Sequence, residues 1–183
     1  ISDERLRRLH ALRDQEGKVL VDDVVRAFLA PTIALRETPG GRRFLRLQAR
    51  LHTEPAEISY KLRNEAYDGS TRAYVQILEE ILPELQAKDV YWRVVLMIGA
   101  YMYAFSDTHR LEELAPGICD PNNTDEILEQ IIAFVSAGLL AAPVVLPGKV
   151  SGEFPRSEGV YKDCAIFVNI GGEKPRTIRI PIT

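Results

Sequence analysis

The stretch from Val94 to Phe105, VVLMIGAYMYAF, is apolar on every side. A helix on the surface of a globular protein shows a polar stripe, and this one has none. It must be covered all round, by its own domain on one side and by something else on the other. A second helical pattern, from Thr124 to about Leu140, carries a broad apolar face of Ile127, Leu128, Ile131, Ile132, Phe134, Val135, Leu139 and Leu140. The small residues Ala133, Ser136, Ala137 and Gly138 beside it let another helix come close. A unit of about six helices has few places to hide both surfaces. A symmetric dimer with two helices from each subunit in a four-helix contact would bury them. A deep monomeric core is the alternative. The residues expected at the dimer interface are Tyr103, Ile127, Ile131, Phe134, Val135 and Gly138.

Ahead of these two helices the apolar spacing is also helical. Leu6, Leu9, Ala11 and Leu12 mark a first helix, with Ser2 as its cap, Asp3 and Glu4 in its first turn, and Gly17 at its end. Leu20, Val24, Val25, Phe28 and Leu29 mark a second, which Pro31 should kink or interrupt. Pro39-Gly40-Gly41 reads as a break. Phe44, Leu45, Leu47 and Leu51 mark a third helix. Glu57 to Leu85 reads as one long fourth helix, bent by Pro83. Asp89 is expected to cap the fifth and Thr124 the sixth. Three residues beyond Thr124 stands Ile127, so that capping box is only half present.

After Pro143 the chain becomes rich in Val, Ile, Gly and Pro. Cys164, Ile166, Val168 and Ile170 alternate along one strand, and Ile178, Ile180 and Ile182 along another, with Gly171 to Pro175 as a hairpin loop. Pro181 keeps the second strand at an edge. A lone hairpin is marginal in water, so it must pack on the helices, pair with a partner chain or belong to a larger domain. The expected organisation is a helical domain over 1–143 and a β-hairpin extension over 144–183.

The 183 residues are 46% apolar and 27% charged, which excludes disorder and low-complexity arrays. The net charge of −3 excludes a chain that binds polyanions as a whole. Residues 1–50 carry 11 basic and 7 acidic side chains, and Arg5, Arg7, Arg8 and Arg13 crowd the first helix. That mildly basic end is where anything that meets DNA belongs, although a solvated helix face is the plainer explanation. Cys119 and Cys164 are too few for a disulfide scaffold. No apolar run reaches the length of a membrane span, and no signal-peptide pattern opens the chain. His10, His52 and His109 have acidic neighbours but no second histidine or cysteine, so neither a metal nor another cofactor is expected. No phosphate loop or nucleophile elbow appears, and pairs such as His52 with Glu54 arise readily by chance. No catalytic residue is expected.

Tyrosines and methionines on the long helices suit clefts that hold a small apolar or amphipathic molecule. The candidates to line one are Phe28, Leu47, Leu51, Tyr67, Tyr74, Leu78, Trp92, Leu96, Met97 and Tyr101. Arg50 and His52, flanking Leu51, could orient a carboxylate or carbonyl. Plain core packing is the alternative for each of these residues.

The segments RRFLRLQARLHTEP at 42–55, YWRVVLMIGAYMYAFSD at 91–107 and LEELAPGICDPNNTDEILEQIIAFVSAGL at 111–139 resemble the C-terminal region of TetR-family transcriptional regulators. The most telling elements are Trp92, Arg93, Met97 and Gly99 on the penultimate helix, then Cys119 and Asp120 in the loop before the last helix. The resemblance covers roughly residues 1–142. It implies an all-α, six-helix ligand-binding and dimerisation domain in a cytoplasmic regulator, whose last two helices dimerise and whose earlier helices enclose an effector pocket. The family's N-terminal helix-turn-helix domain is expected to lie outside these residues, so operator DNA is expected as a partner only of the full-length protein. Residues 144–183 depart from the usual family ending. An enzyme or a pure interaction module on the same helical scaffold is the competing expectation.

Overall fold

The computed structural model describes residues 1–145, 163–168 and 176–181. They fall into two compact units, Ile1–Val144 and Val145–Thr183. The first unit is all-α. Its helices are α1 (Ser2–Arg13), α2 (Val21–Ile33), α3 (Pro39–Leu51), α4 (Ala56–Ala66), α5 (Asp68–Ile81), α6 (Ala87–Phe105), α7 (Arg110–Leu114) and α8 (Thr124–Leu140). A 3-10 turn, Ala34–Glu37, follows α2 directly. α2 packs on α1 and α8, and α6 packs on α3, α5 and α8.

Local chemistry explains where these helices depart from expectation. Pro31 does not interrupt α2, which runs on to Ile33. One turn before it, the carbonyl of Phe28 accepts the Arg5 Nε–H at 2.9 Å, which ties this part of α2 to α1. Pro39-Gly40-Gly41 starts a helix rather than breaking one. Thr38 caps it by accepting the Gly41 N–H at 3.0 Å, and Pro39 takes the first helical position, where its missing N–H costs nothing. Gly41 is required there, because a Cβ would lie 2.0 Å from the carbonyl oxygen of Leu35. The long fourth helix is two helices, parted at Tyr67 (φ −131°, ψ −32°). Pro83 lies beyond α5, which ends at Ile81.

Three caps also move. Ser2 lies inside α1, and its hydroxyl meets the Ala66 carbonyl and the Ser70 hydroxyl, tying α1 to the α4–α5 junction. α6 starts at Ala87, which leaves Asp89 in its first turn. Asn123, not Thr124, caps α8 by accepting the Glu126 N–H at 3.1 Å. With the cap moved by one, the residue three positions on is Glu126, which reaches back to the Asn123 side chain.

The core is built from Leu9 of α1, Val24, Val25, Phe28 and Leu29 of α2, Tyr74, Ile77 and Leu78 of α5, Val94, Met97, Tyr101 and Phe105 of α6, and Ile132, Val135 and Leu139 of α8. Arg93 of α6 holds the end of α8. Its guanidinium donates to the carbonyl of Leu139, which the helix C-terminus leaves without an intrahelical donor, and to those of Ala141 and Ala142 just beyond it.

In the second unit, β1 (Asp163–Val168) pairs antiparallel with β2 (Arg176–Pro181). Cys164 stands opposite Ile180, and Ile166 opposite Ile178. Ile170, Ile182 and the expected loop at 171–175 lie outside the described residues.

Candidate functional site

The two sides of α6 meet different surroundings. Val94, Met97, Tyr101, Met102 and Phe105 face the core. Trp92 (68% exposed), Val95, Leu96 (64% exposed), Gly99 and Tyr103 form an outward stripe at helical spacing. α8 packs alongside and presents Phe134 (70% exposed) and Leu140, with the small residues Ala133, Ala137 and Gly138. Together they make an apolar face of two helices, the kind of patch that marks an interaction surface.

Behind that face, the expected cleft residues divide. Phe28, Tyr74, Leu78, Met97 and Tyr101 are buried and come together. The Phe28 ring meets Tyr74 edge-on at 5.0 Å between centroids and Tyr101 at 6.0 Å. Arg5 of α1, 1% exposed, lies against them, its guanidinium carbon 3.7 Å from the Phe28 ring centre. Arg5 also donates to Thr32 Oγ1 at 2.9 Å and to the Tyr101 hydroxyl at 3.4 Å, and its carbonyl accepts from the Tyr74 hydroxyl at 2.9 Å. Burial pushes the Tyr74 phenol far up, so it stays a neutral donor. Tyr67 and Leu51 are half-buried, and burial raises the Tyr67 phenol as well.

Four expected lining residues are elsewhere. Leu47 and Arg50 are exposed on α3, and Trp92 and Leu96 belong to the outward stripe of α6. The 3.6-residue period puts Trp92 and Leu96 on the side of the helix opposite Val94 and Tyr101. His52, half-buried, has its imidazole held below the ordinary value, first by burial and then by the Arg63 charge. Of the expected interface residues, Tyr103, Phe134 and Gly138 are exposed. Ile127 and Ile131 are half-buried, and Val135 turns into the core.

A cavity of about 520 Å³ lies between the C-terminal end of α6, α7 and the first half of α8. Its apolar wall is Ala104, Leu111, Leu114, Ile127 and Ile131, and Tyr103 joins it to the apolar face. A second buried arginine, Arg36, builds one end. It donates to the Phe105 carbonyl at 2.9 Å and to the Pro121 carbonyl at 2.8 Å, and it pairs with Asp107, so both ends of the loop between α6 and α8 hang on one guanidinium. Asp107 stands at φ 52° and also attracts Arg42 and Arg46. Asp120 closes the loop's far turn by accepting the Asn122 N–H at 2.9 Å.

Sequence reasoning missed this cavity, along with Arg5 and Arg36. Neither arginine has an acidic residue at helical spacing to mark it for burial, and the cavity's walls are brought together only by the loop.

Residues 26–138 match the family described as tetracyclin repressor-like, C-terminal domain. This chain belongs to that family. The match spans α2 to the end of α8 and takes in the apolar face, the Arg36 strap and the cavity. No curated protein matches the chain. Among the described residues, no helix is long and apolar enough to cross a membrane.

Proposed function

We propose that the helical unit is the effector-binding and dimerisation domain of a ligand-responsive transcriptional repressor acting in the cytoplasm. Two copies join through α6 and α8. A small apolar or amphipathic molecule binds between helices and favours one tilt of the bundle over another. α1 carries that tilt toward a helix-turn-helix domain in the full-length regulator. Recognition helices of such a dimer must sit about 34 Å apart to fit successive major grooves, so a small rotation weakens operator binding. The ligand acts only by binding the two arrangements unequally.

The observation that carries this reading is the two-helix apolar face, with Trp92, Leu96 and Phe134 each more than half exposed in the single chain. Burying such residues against a copy is favourable by roughly 1.5–3 kcal/mol per large side chain. Sedimentation of the purified chain at micromolar concentration is expected to show a dimer. Leu96→Glu is expected to give a monomer that keeps its helical circular dichroism. A wild-type chain that sediments as a monomer would overturn the proposal.

A further inference from the structure

We infer that the 520 Å³ cavity between α6, α7 and α8 is a binding site for a largely apolar small molecule that carries no anionic group. This deepens the proposed function, and it places the effector outside the buried ring of Phe28, Tyr74 and Tyr101. The volume falls within the range of ligand pockets, roughly 300–1,000 Å³. The space is preformed, because Arg36 fixes both ends of the loop that roofs it.

The wall chemistry decides the ligand class. The basic side chains on the wall already face carboxylates, Arg36 with Asp107, His109 with Glu112 and Arg110 with Glu113, whereas Asp120 and Glu126 meet only the neutral Asn122 N–H and Asn123 side chain. An anionic ligand would lose its hydration, find each basic group already facing a carboxylate, and be repelled by Asp120 and Glu126. An apolar one meets aliphatic side chains from three helices, and Thr108 and Gln130 offer neutral groups for a hydroxyl or carbonyl.

The site also has a route to α1. Arg36 lies one helical turn beyond Thr32, which holds the Arg5 guanidinium of α1. A ligand that shifts the Arg36 strap therefore acts on the same segment that anchors α1.

Two fluorescent probes with one anilinonaphthalene body separate the ligand classes: neutral N-phenyl-1-naphthylamine and its sulfonate, 8-anilinonaphthalene-1-sulfonate. The neutral probe is expected to bind saturably at one site per chain and more tightly than the sulfonate. Ala104→Trp and Ile131→Trp, which fill the cavity from two helices, are expected to weaken it by about tenfold or more. A readout on the unmodified chain guards against misfolded variants. Cys119 lines the cavity, so the neutral probe is expected to slow its alkylation by N-ethylmaleimide, followed by peptide mass. No uptake of the neutral probe, a preference for the sulfonate, full binding by folded Trp variants, or no protection of Cys119 would each overturn the assignment. Oligomeric state is scored separately. A monomer that binds the probe removes the regulator reading and keeps the site; a dimer that does not bind it removes only the site.

Discussion

Arg5 donates to the Phe28 carbonyl, the Thr32 hydroxyl and the Tyr101 hydroxyl, and none of these partners carries a charge. Its cation is held by dipoles and by the face of the Phe28 ring. Arg5→Ala removes the donors and leaves a hole among buried acceptors, so it is expected to cost about 3 kcal/mol in urea unfolding. Arg5→Met keeps the packing and removes the buried charge, and is expected to cost less. The neighbouring glycines Gly40 and Gly41 give a sharper contrast. A Cβ at Gly41 collides with the Leu35 backbone, whereas one at Gly40 meets nothing within 4 Å. Gly41→Ala is expected to destabilise by roughly 2 kcal/mol, and Gly40→Ala to leave stability unchanged or raise it by up to about 0.5 kcal/mol. Equal thermal shifts for the two would contradict the close approach. His52 brings in pH. Its folded value lies below the ordinary 6.5, so the unfolded chain binds the proton more readily. The His52 contribution is therefore intact above pH 6.5 and is lost as the pH falls through the depressed folded value. His52→Gln should flatten the fall in stability below pH 6.5, and parallel denaturation series would show it.

At the scale of elements, α6 and α8 are held together at one end by Arg93, whose guanidinium serves three carbonyls at the close of α8. Arg93→Ala is expected to cost about 1–2 kcal/mol and to raise amide exchange in the last turn of α8 before the rest of the helix. The existence of α6 and α8 was legible because their apolar runs are long and periodic. Their starts were not, because cap geometry depends on which of two adjacent polar residues turns its side chain back. Asn123 and Thr124 were both eligible, and only Asn123 leaves Glu126 at the reciprocal position. The break at Tyr67 is followed by Asp68-Gly69, a turn signal that the apolar periodicity on either side masks. At Gly40-Gly41 the reverse happened: residues that usually interrupt helices stand in a first turn, because Thr38 caps it and Leu35 crowds it. The candidate site was half legible for a related reason. Spacing assigns the buried face of α6 and its outward stripe to one helix but does not say which is which, so Trp92 and Leu96, expected in the cleft, lie on the outward stripe.

For the molecule as a whole, the glycines of the apolar face separate folding from association. Within the single chain, a Cβ at Gly99 of α6 or Gly138 of α8 meets nothing within 4 Å. A β-carbon at either position therefore meets no steric resistance from the subunit's own fold. Helix propensity even favours it, by up to about 1 kcal/mol over glycine. A four-helix contact is different, because helices that approach face to face leave little room at their small residues. Gly138→Leu is thus expected to keep or raise the unfolding midpoint of the isolated subunit while weakening the dimer by about tenfold or more in dissociation constant. A deep monomeric core cannot produce that pair of results, since there any change at Gly138 would register in unfolding alone. The two readouts are denaturation at a concentration too low for dimers and sedimentation across a dilution series. If Gly138→Leu sediments like the wild type at every dilution, α8 does not approach a partner at that position.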